Sequence, residues 1–196
     1  MAEPSIKETK RQMRENMIRA RSRLTEKQRD GAARRVASAF IGNVPLDRND
    51  RVACYWPTSG ELDIKILMEI LTEEGHICAL PVVEDDDKPL IFRRWHRGMK
   101  LRRHPHFGIF EPDELSPEVI PKVIIVPLVA FDTRGYRLGF GAGLYDRTLA
   151  YYDEMTDIFT VGVGFAVQQV STVPHEAHDQ RLDCVITENR TLVVEK

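Results

Sequence analysis

The sequence predicts one α/β domain built on a mostly parallel sheet with helices on both faces. Three observations point there. Apolar segments of strand length alternate with segments whose apolar residues recur at helical spacing. The run Val123-Ile124-Ile125-Val126 has no polar interruption, as expected of a strand buried on both faces. The 196 residues suffice for one good core and contain no repeat, low-complexity tract or dividing linker, so a single domain over 1–196 is expected.

The elements follow in order. The first forty residues read as two helices. In the second, Ala33, Val36, Ala37 and Phe40 form a buried stripe, and Thr25 with Gln28 makes a capping box at its start. A strand is expected over 51–56, broken by Pro57-Thr58-Ser59-Gly60. The helix after it carries Ile64, Leu67, Met68 and Leu71 on one face and stops at Gly75. A strand over 77–83, an acidic turn at 84–87 and a returning strand over 90–95 make a hairpin. Residues 96–121 look irregular. After the strand at 123–126 come a glycine-rich stretch, a helix over 143–152, and strands over 159–166 and 184–187.

Composition narrows the function. A net charge of −2 gives no global attraction to nucleic acid, so any anion must be held by a local patch. No apolar run is long enough to span a bilayer, and the opening MAEPSIKETKRQMRE has no apolar signal core. Cys54, Cys78 and Cys184 are few, widely spaced and set among apolar neighbours. They read as core thiols, and a cytoplasmic protein without nucleic-acid or membrane partners is expected.

In an open parallel sheet, ligands bind beyond the carboxyl ends of the strands. Three segments leave such ends: the loop before Glu61, residues 130–143 and residues 168–179. The chemically unusual residues concentrate in them. The strongest signal is Arg137-Leu138-Gly139-Phe140-Gly141-Ala142-Gly143-Leu144-Tyr145-Asp146-Arg147. Glycines at alternate positions let backbone amides approach a phosphate, and the helix start that follows adds positive potential. The dinucleotide-binding pattern fails at Leu144, and the P-loop's Gly-Lys-Ser/Thr is absent. A flexible turn into a helix is the competing reading.

Three further groups carry weaker signals. Lys7, Lys10, Arg11 and Arg14 fall on one face of the first helix, either a wall for a polyphosphate or a solvated stripe offset by Glu8 and Glu15. Glu61 and Asp63 either complement a helix dipole or hold amino groups of a polar heterocycle. The segment 174–183 holds His175, Glu176, His178, Asp179 and Asp183, which suits magnesium better than zinc, or a polar surface loop. The basic stretch from Arg93 to His106 fits a solvated hairpin or a lid over an anionic small molecule better than an RNA-binding patch.

Together these segments resemble the 5-formyltetrahydrofolate cyclo-ligase family, in order and over nearly the whole chain. The resemblance runs from Lys10-Arg11-x-x-Arg14 through Tyr55 to Gly60-Glu61-Leu62-Asp63, Phe107-Gly108-Ile109-Phe110-Glu111-Pro112 and Ile125 to Asp132. It continues through the glycine segment to Gln168 and Val173-Pro174 to His178-Asp179. It implies a three-layer α/β/α sandwich, similar to the sugar-phosphate isomerase and CoA transferase-like fold. It implies ATP- and magnesium-dependent closure of 5-formyltetrahydrofolate to 5,10-methenyltetrahydrofolate, with release of ADP and phosphate.

By that resemblance Lys10, Arg14 and residues 137–145 hold ATP, with Arg137 and Tyr145 catalytic. Those residues are Arg137, Leu138, Gly139, Phe140, Gly141, Ala142, Gly143, Leu144 and Tyr145. Trp56 and Glu61 hold the folate, and Asp146 and Asp179 bind Mg2+. Arg21, outside the matched motif, is expected to be a bystander. A monomer acting on a reduced folate is implied, with the length of any polyglutamate tail left open. The chain departs from the family pattern at Phe140, Ala142 and Leu144. The alternatives are another phosphotransferase or sugar-phosphate enzyme on this fold, and a non-catalytic folate- or nucleotide-binding regulator.

Overall fold

The computed structural model describes residues 5–58 and 60–195. Its centre is a seven-stranded sheet. The five inner strands are β1 (Arg51–Ala53), β2 (Ile77–Val82), β6 (Val123–Pro127), β9 (Phe159–Val163) and β10 (Cys184–Ile186), all parallel. Antiparallel strands β3 (Ile91–Arg94) and β11 (Thr191–Val193) close the edges, giving the order β11-β10-β9-β6-β1-β2-β3. Small hairpins pair β4 (Arg102–Arg103) with β5 (Phe110–Glu111), and β7 (Ala130–Phe131) with β8 (Arg137–Leu138).

Strand periodicity divides the core. Val123 and Ile125 of β6 point to one face, where they meet α2 (Glu26–Asn43) and α3 (Lys65–Glu73). Ile124 and Val126 point to the other, where Leu149 and Tyr152 of α4 (Leu144–Met155) pack with Phe92. A strand with both faces covered needs the unbroken apolar run found in the sequence. Helix α1 (Ile6–Ser22) lies apart from both. Its Met13 and Met17 pack on a satellite cluster of Ala130, Leu138 and Val173, which sets the helix against the β7–β8 hairpin. The Thr25–Gln28 capping box is formed as expected. None of the described helices is long and apolar enough to cross a membrane.

Several boundaries differ from the sequence reading. The first strand ends at Ala53 rather than residue 56, because Tyr55 and Trp56 already turn into the loop. The strand from 159 ends at Val163 and gives way to a 3-10 turn, Ala166–Gln168. There the buried Gln168 side chain donates to the carbonyls of Leu128 and Val129 and accepts from the Phe165 N–H. The edge strand β11 has no strong alternation and was not expected. Within 96–121, the β4–β5 hairpin orders part of a stretch that looked irregular. Fully buried Glu111 accepts from the Val83 N–H at 2.8 Å and faces Arg102 at 3.5 Å, fastening that hairpin to the end of β2.

The topology places the site. From β1 the chain moves outward to β2 and β3, then returns across β1 to β6 and runs the other way to β9 and β10. The carboxyl ends of β1 and β6 therefore diverge at a switch point, where a crevice is expected. Beyond β6, the β7–β8 hairpin projects into that crevice. Buried Asp132 organises its turn, accepting from the Arg134, Tyr136 and Val173 N–H groups and from the Arg134 guanidinium. Asp132→Ala should strand these donors and cost about 3 kcal/mol, measured as a fall in the denaturant midpoint. An unchanged midpoint would show that the hairpin holds without it.

Candidate functional site

A cavity of about 500 Å³ opens at the switch point. This is the size of a small-molecule site. Its walls come from four places: the loop after β1, the glycine stretch from β8 into α4, the segment 176–179, and one face of α1. The tip of the β4–β5 hairpin, Phe107 and Ile109, contributes a fifth edge. The three segments singled out from the sequence thus converge on one cavity.

The glycine stretch is shaped as its spacing suggests. Gly141 and Gly143 have φ of 111° and 69°, where a side chain would be strained. A Cβ at Gly141 would also lie 3.3 Å from the Arg14 guanidinium carbon, so glycine admits that guanidinium against the loop. Gly143 is the N-cap of α4 and offers no side chain to its first turn. The first-turn N–H groups are left to solvent or a ligand, with the positive end of the helix behind them. Phe140, between two of the glycines, is 56% exposed.

The basic stripe on α1 divides. Arg11 is exposed and spent on Glu8 and Glu15, one turn either side, so it belongs to the solvated face. Lys10 is buried and reaches Glu176 at 2.9 Å and Asp179 at 2.7 Å. Arg14 donates through Nε to the Gly139 carbonyl at 2.8 Å. Lys7 is exposed at the rim and lines the cavity. Arg21, expected to be a bystander, is 3% exposed.

Arg137 is buried as well. Its Nη2 pairs with Asp146 Oδ1 at 2.8 Å and its Nη1 donates to the Gln180 carbonyl at 2.7 Å. Burial lowers the guanidinium's pKa and the Asp146 carboxylate opposes the shift. The half-buried Tyr145 stands beside it. Burial raises its phenol pKa, and the Glu61 charge raises it further, so Tyr145 is a neutral donor at ordinary pH. Glu61 itself is fixed by the Thr58 N–H and hydroxyl, both bonding to Oε2 at 2.7 and 2.8 Å, which leaves Oε1 without a hydrogen bond among the described residues. Trp56 is half-buried against Trp95, with ring centroids 6.3 Å apart.

The expected metal pair is not one cluster. Asp179 groups with Glu176 and His178, their ligand atoms within 4.8 Å of one another, while Asp146 stands outside that group on Arg137. Both aspartates line the cavity. Asp146 keeps Oδ2 free of hydrogen bonds among the described residues. Asp179 Oδ2 is taken by Lys10 and the Glu176 N–H. Two carboxylates with oxygen to spare, beside a phosphate-shaped loop, fit the few protein ligands that magnesium takes.

Sequence reasoning missed Glu176 as the second partner of Lys10, and Arg21. Helical spacing from Lys10 and Arg14 carried the second signal, since residues 10, 14 and 21 share a face. Burial alone would raise the Asp179 pKa. The Lys10 hydrogen bond, the Glu176 N–H and the nearby positive charges together outweigh it, and the net shift is downward. A lowered carboxylate contributes stability above its unfolded value, and that contribution drains away as pH falls through the folded value. Lys10→Met should therefore move the Asp179 carboxyl titration, followed by 13C NMR, upward by a measurable amount. A titration that stays in place would mean that Lys10 does not hold Asp179 in solution.

Comparison with known proteins comes down on one family. The model of the 5-formyltetrahydrofolate cyclo-ligase family matches residues 6–188. A 5-formyltetrahydrofolate cyclo-ligase of Escherichia coli K12 is 35% identical over 182 residues, covering 89% of this chain and 98% of its own. The structure of an Aquifex aeolicus 5,10-methenyltetrahydrofolate synthetase superposes with a TM-score of 0.77 at 30% identity, covering 95% of this chain and 93% of that one. A Mycoplasma pneumoniae 5,10-methenyltetrahydrofolate synthetase gives 0.72 at 21% identity, covering 91% and 98%, a likeness of fold alone.

Proposed function

The chain belongs to the 5-formyltetrahydrofolate cyclo-ligase family, and from that premise we propose how its cavity divides the work of closing 5-formyltetrahydrofolate to 5,10-methenyltetrahydrofolate at the expense of ATP. The observation that carries the reading is the convergence on one cavity of an amide-rich loop ringed by cations and a separate carboxylate, Glu61, with an open oxygen. A phosphate donor suits the first and the amino and imino groups of a reduced pterin suit the second.

The phosphates of ATP lie along the backbone of 139–143 and the first turn of α4, with Lys10 and Arg14 on the α1 side. The pterin donates to Glu61 and packs on Trp56. The formyl oxygen on N5 then attacks the γ-phosphorus, the bond to the β-γ bridging oxygen breaks, and ADP leaves. The N10 lone pair attacks the activated carbon, the N10 proton is lost, and the carbon–oxygen bond breaks to release phosphate. What this sequence needs is alignment and charge neutralisation rather than a protein nucleophile. Arg137 supplies a fixed, desolvated positive charge, and the neutral Tyr145 hydroxyl donates to oxygen as charge shifts between the phosphates and the formyl group.

Asp146 and Asp179 would hold magnesium, which when bound offsets negative charge on the phosphates. The three cysteines are free and buried, in keeping with a cytoplasmic home, and the expected state is a monomer. The β4–β5 hairpin reaches the cavity through Phe107 and Ile109, and its cations Arg102 and Arg103 suit the anionic tail of the folate, polyglutamylated or not.

Product formation is read as methenyl absorbance. The parent protein should form it only when 5-formyltetrahydrofolate, ATP and magnesium are all present, with little ATP hydrolysis without folate. Asp146→Asn should lose at least about a hundredfold in kcat, roughly 2.7 kcal/mol of barrier. It should also lose thermal stability, because buried Arg137 keeps its charge and loses its partner. Turnover of the variant at the parental rate, with the same magnesium requirement, would place the metal elsewhere. Absence of methenyl product from the parent would sink the assignment.

Glu61→Gln tests the folate half separately. Losing a charge-assisted bond should weaken folate binding by about 1.5–3 kcal/mol and leave ATP binding nearly intact. Calorimetric titration showing the opposite pattern would exchange the two subsites.

A further inference from the structure

Arg21 is a buried cation that the proposed chemistry does not use. It is 3% exposed and forms no ion pair among the described residues, and its Nη1 has no hydrogen-bond partner. Burial lowers its pKa, and the nearby Glu61 charge opposes the shift. A guanidinium kept out of water on such terms is costly, so its placement calls for a role.

Its contacts are specific. The guanidinium carbon lies 5.5 Å from the centre of the Phe140 ring. A Cβ at Gly60, whose φ is 84°, would stand 3.5 Å from Arg21 Nε and 3.8 Å from Nη2. Arg21 therefore lies against the Gly60-Glu61 turn on one side and the ring of Phe140 on the other. The end of its helix is fixed as well, since the Arg21 carbonyl accepts from Arg29 Nη2 at 3.0 Å and the Leu24 N–H at 3.2 Å. Phe140 itself is a large ring at the exposed tip of the loop, with glycine on either side. The backbone there restrains it little, and the Arg21 guanidinium lies over its ring.

Lys10, Arg14 and Arg21 lie at i, i+4 and i+11. Eleven residues make about three helical turns, so Lys10 and Arg21 share a face about 16 Å apart. One rigid helix thus touches the phosphate end of the cavity through Lys10 and Arg14, and the Glu61 end through Arg21.

We infer that Arg21 is a positioning residue, a clasp that ties Phe140 of the glycine loop to the Gly60-Glu61 turn and so couples occupancy of the nucleotide subsite to retention of the folate. The inference rests on the assignment of those two subsites under the proposed function. The guanidinium is suited to the task because its planar face takes an aromatic ring while its edge lies along backbone, which a compact ammonium cannot do. Nucleotide bound along 139–143 would order the loop, Phe140 would settle on Arg21, and the ring would cover the folate held at Glu61. Such coupling is reciprocal, so folate would tighten nucleotide binding by the same factor.

The test is the dissociation constant of 5-formyltetrahydrofolate, by calorimetry, with and without a saturating non-hydrolysable ATP analogue and magnesium. The parent should bind folate at least fivefold more tightly with the analogue. Phe140→Ala, at an exposed position, should keep the parental melting temperature and cut that factor below twofold. Arg21→Met and Arg21→Lys should do the same, and Arg21→Met with Phe140→Ala should be no worse than either alone, since both break one contact. If the Arg21 variants do not fold, Phe140→Ala decides the question. No synergy in the parent, full synergy in Phe140→Ala, or independent and multiplying losses in the double variant would each overturn the clasp. A parent that makes no methenyl product would instead overturn the subsite assignment on which the clasp rests; product with undiminished synergy in Phe140→Ala defeats the clasp alone.

Discussion

The ion pair between Arg137 and Asp146 joins three segments of the site. Arg137 ends the small hairpin beyond β6, Asp146 sits in the first turn of α4, and Gln180 follows the acidic segment. Arg137 reaches the Asp146 carboxylate and the Gln180 carbonyl, and the Gln180 N–H returns to the same Asp146 oxygen at 3.0 Å. The loop is closed by charged and backbone groups alike, so each hydrogen bond satisfies a group that burial would otherwise penalise. With the arginine only 3% exposed and the aspartate 25%, the pair is too enclosed to be dismissed as a surface salt bridge. The glycine loop is strung between its two ends. Its shape is therefore set by a fixed span, even though three of its five residues are glycine.

That constraint also explains why the site lies where it does. The parallel sheet makes a crevice at the divergence of β1 and β6, but a crevice has no chemistry of its own. The hairpin carrying Arg137 brings cations and amides to one wall. The loop after β1 brings Glu61 and Trp56 to the other. Helix α1 packs outside the sheet and presents its basic face across both. Of its four cations near the amino end, Lys10 and Arg14 are used inward and Arg11 is neutralised outward by Glu8 and Glu15. The division follows from the helix period, since adjacent residues point about 100° apart.

What was legible in the sequence was what depends on local pattern. The apolar run of β6, the helical stripe of α2 and its capping box are fixed by neighbours a few residues away, and they appear where they were expected. The glycine segment was legible for the same reason, because positive φ at Gly141 and Gly143 is a local demand. Edge strand β11 and hairpin β4–β5 were not, because they are only two or three residues long and carry no clean alternation, and the hairpin is anchored from outside itself. Glu111 is the clearest case. Its sequence context is polar, yet it is fully buried because it accepts from Val83, 28 residues earlier. The same holds for Lys10, whose partners lie 166 and 169 residues away. Charge on a helix face is readable from sequence; whether a remote carboxylate comes to meet it is not.

Arg21 shows where periodicity and motif disagree. The motif ends at Arg14, and on that ground Arg21 is expected to do little. Continuing the helical face from Lys10 through Arg14 instead brings Arg21 inward, and burial follows the face rather than the motif. The reason is geometric: a straight helix that turns Lys10 and Arg14 inward also turns the residue three turns on towards the same side. The Gly60 turn and the ring of Phe140 then meet that residue. A motif marks the residues a ligand touches. The helix that carries the motif also determines which residues pack behind it, and in this chain its buried face runs from Lys10 beside Asp179 to Arg21 beside the Gly60 turn.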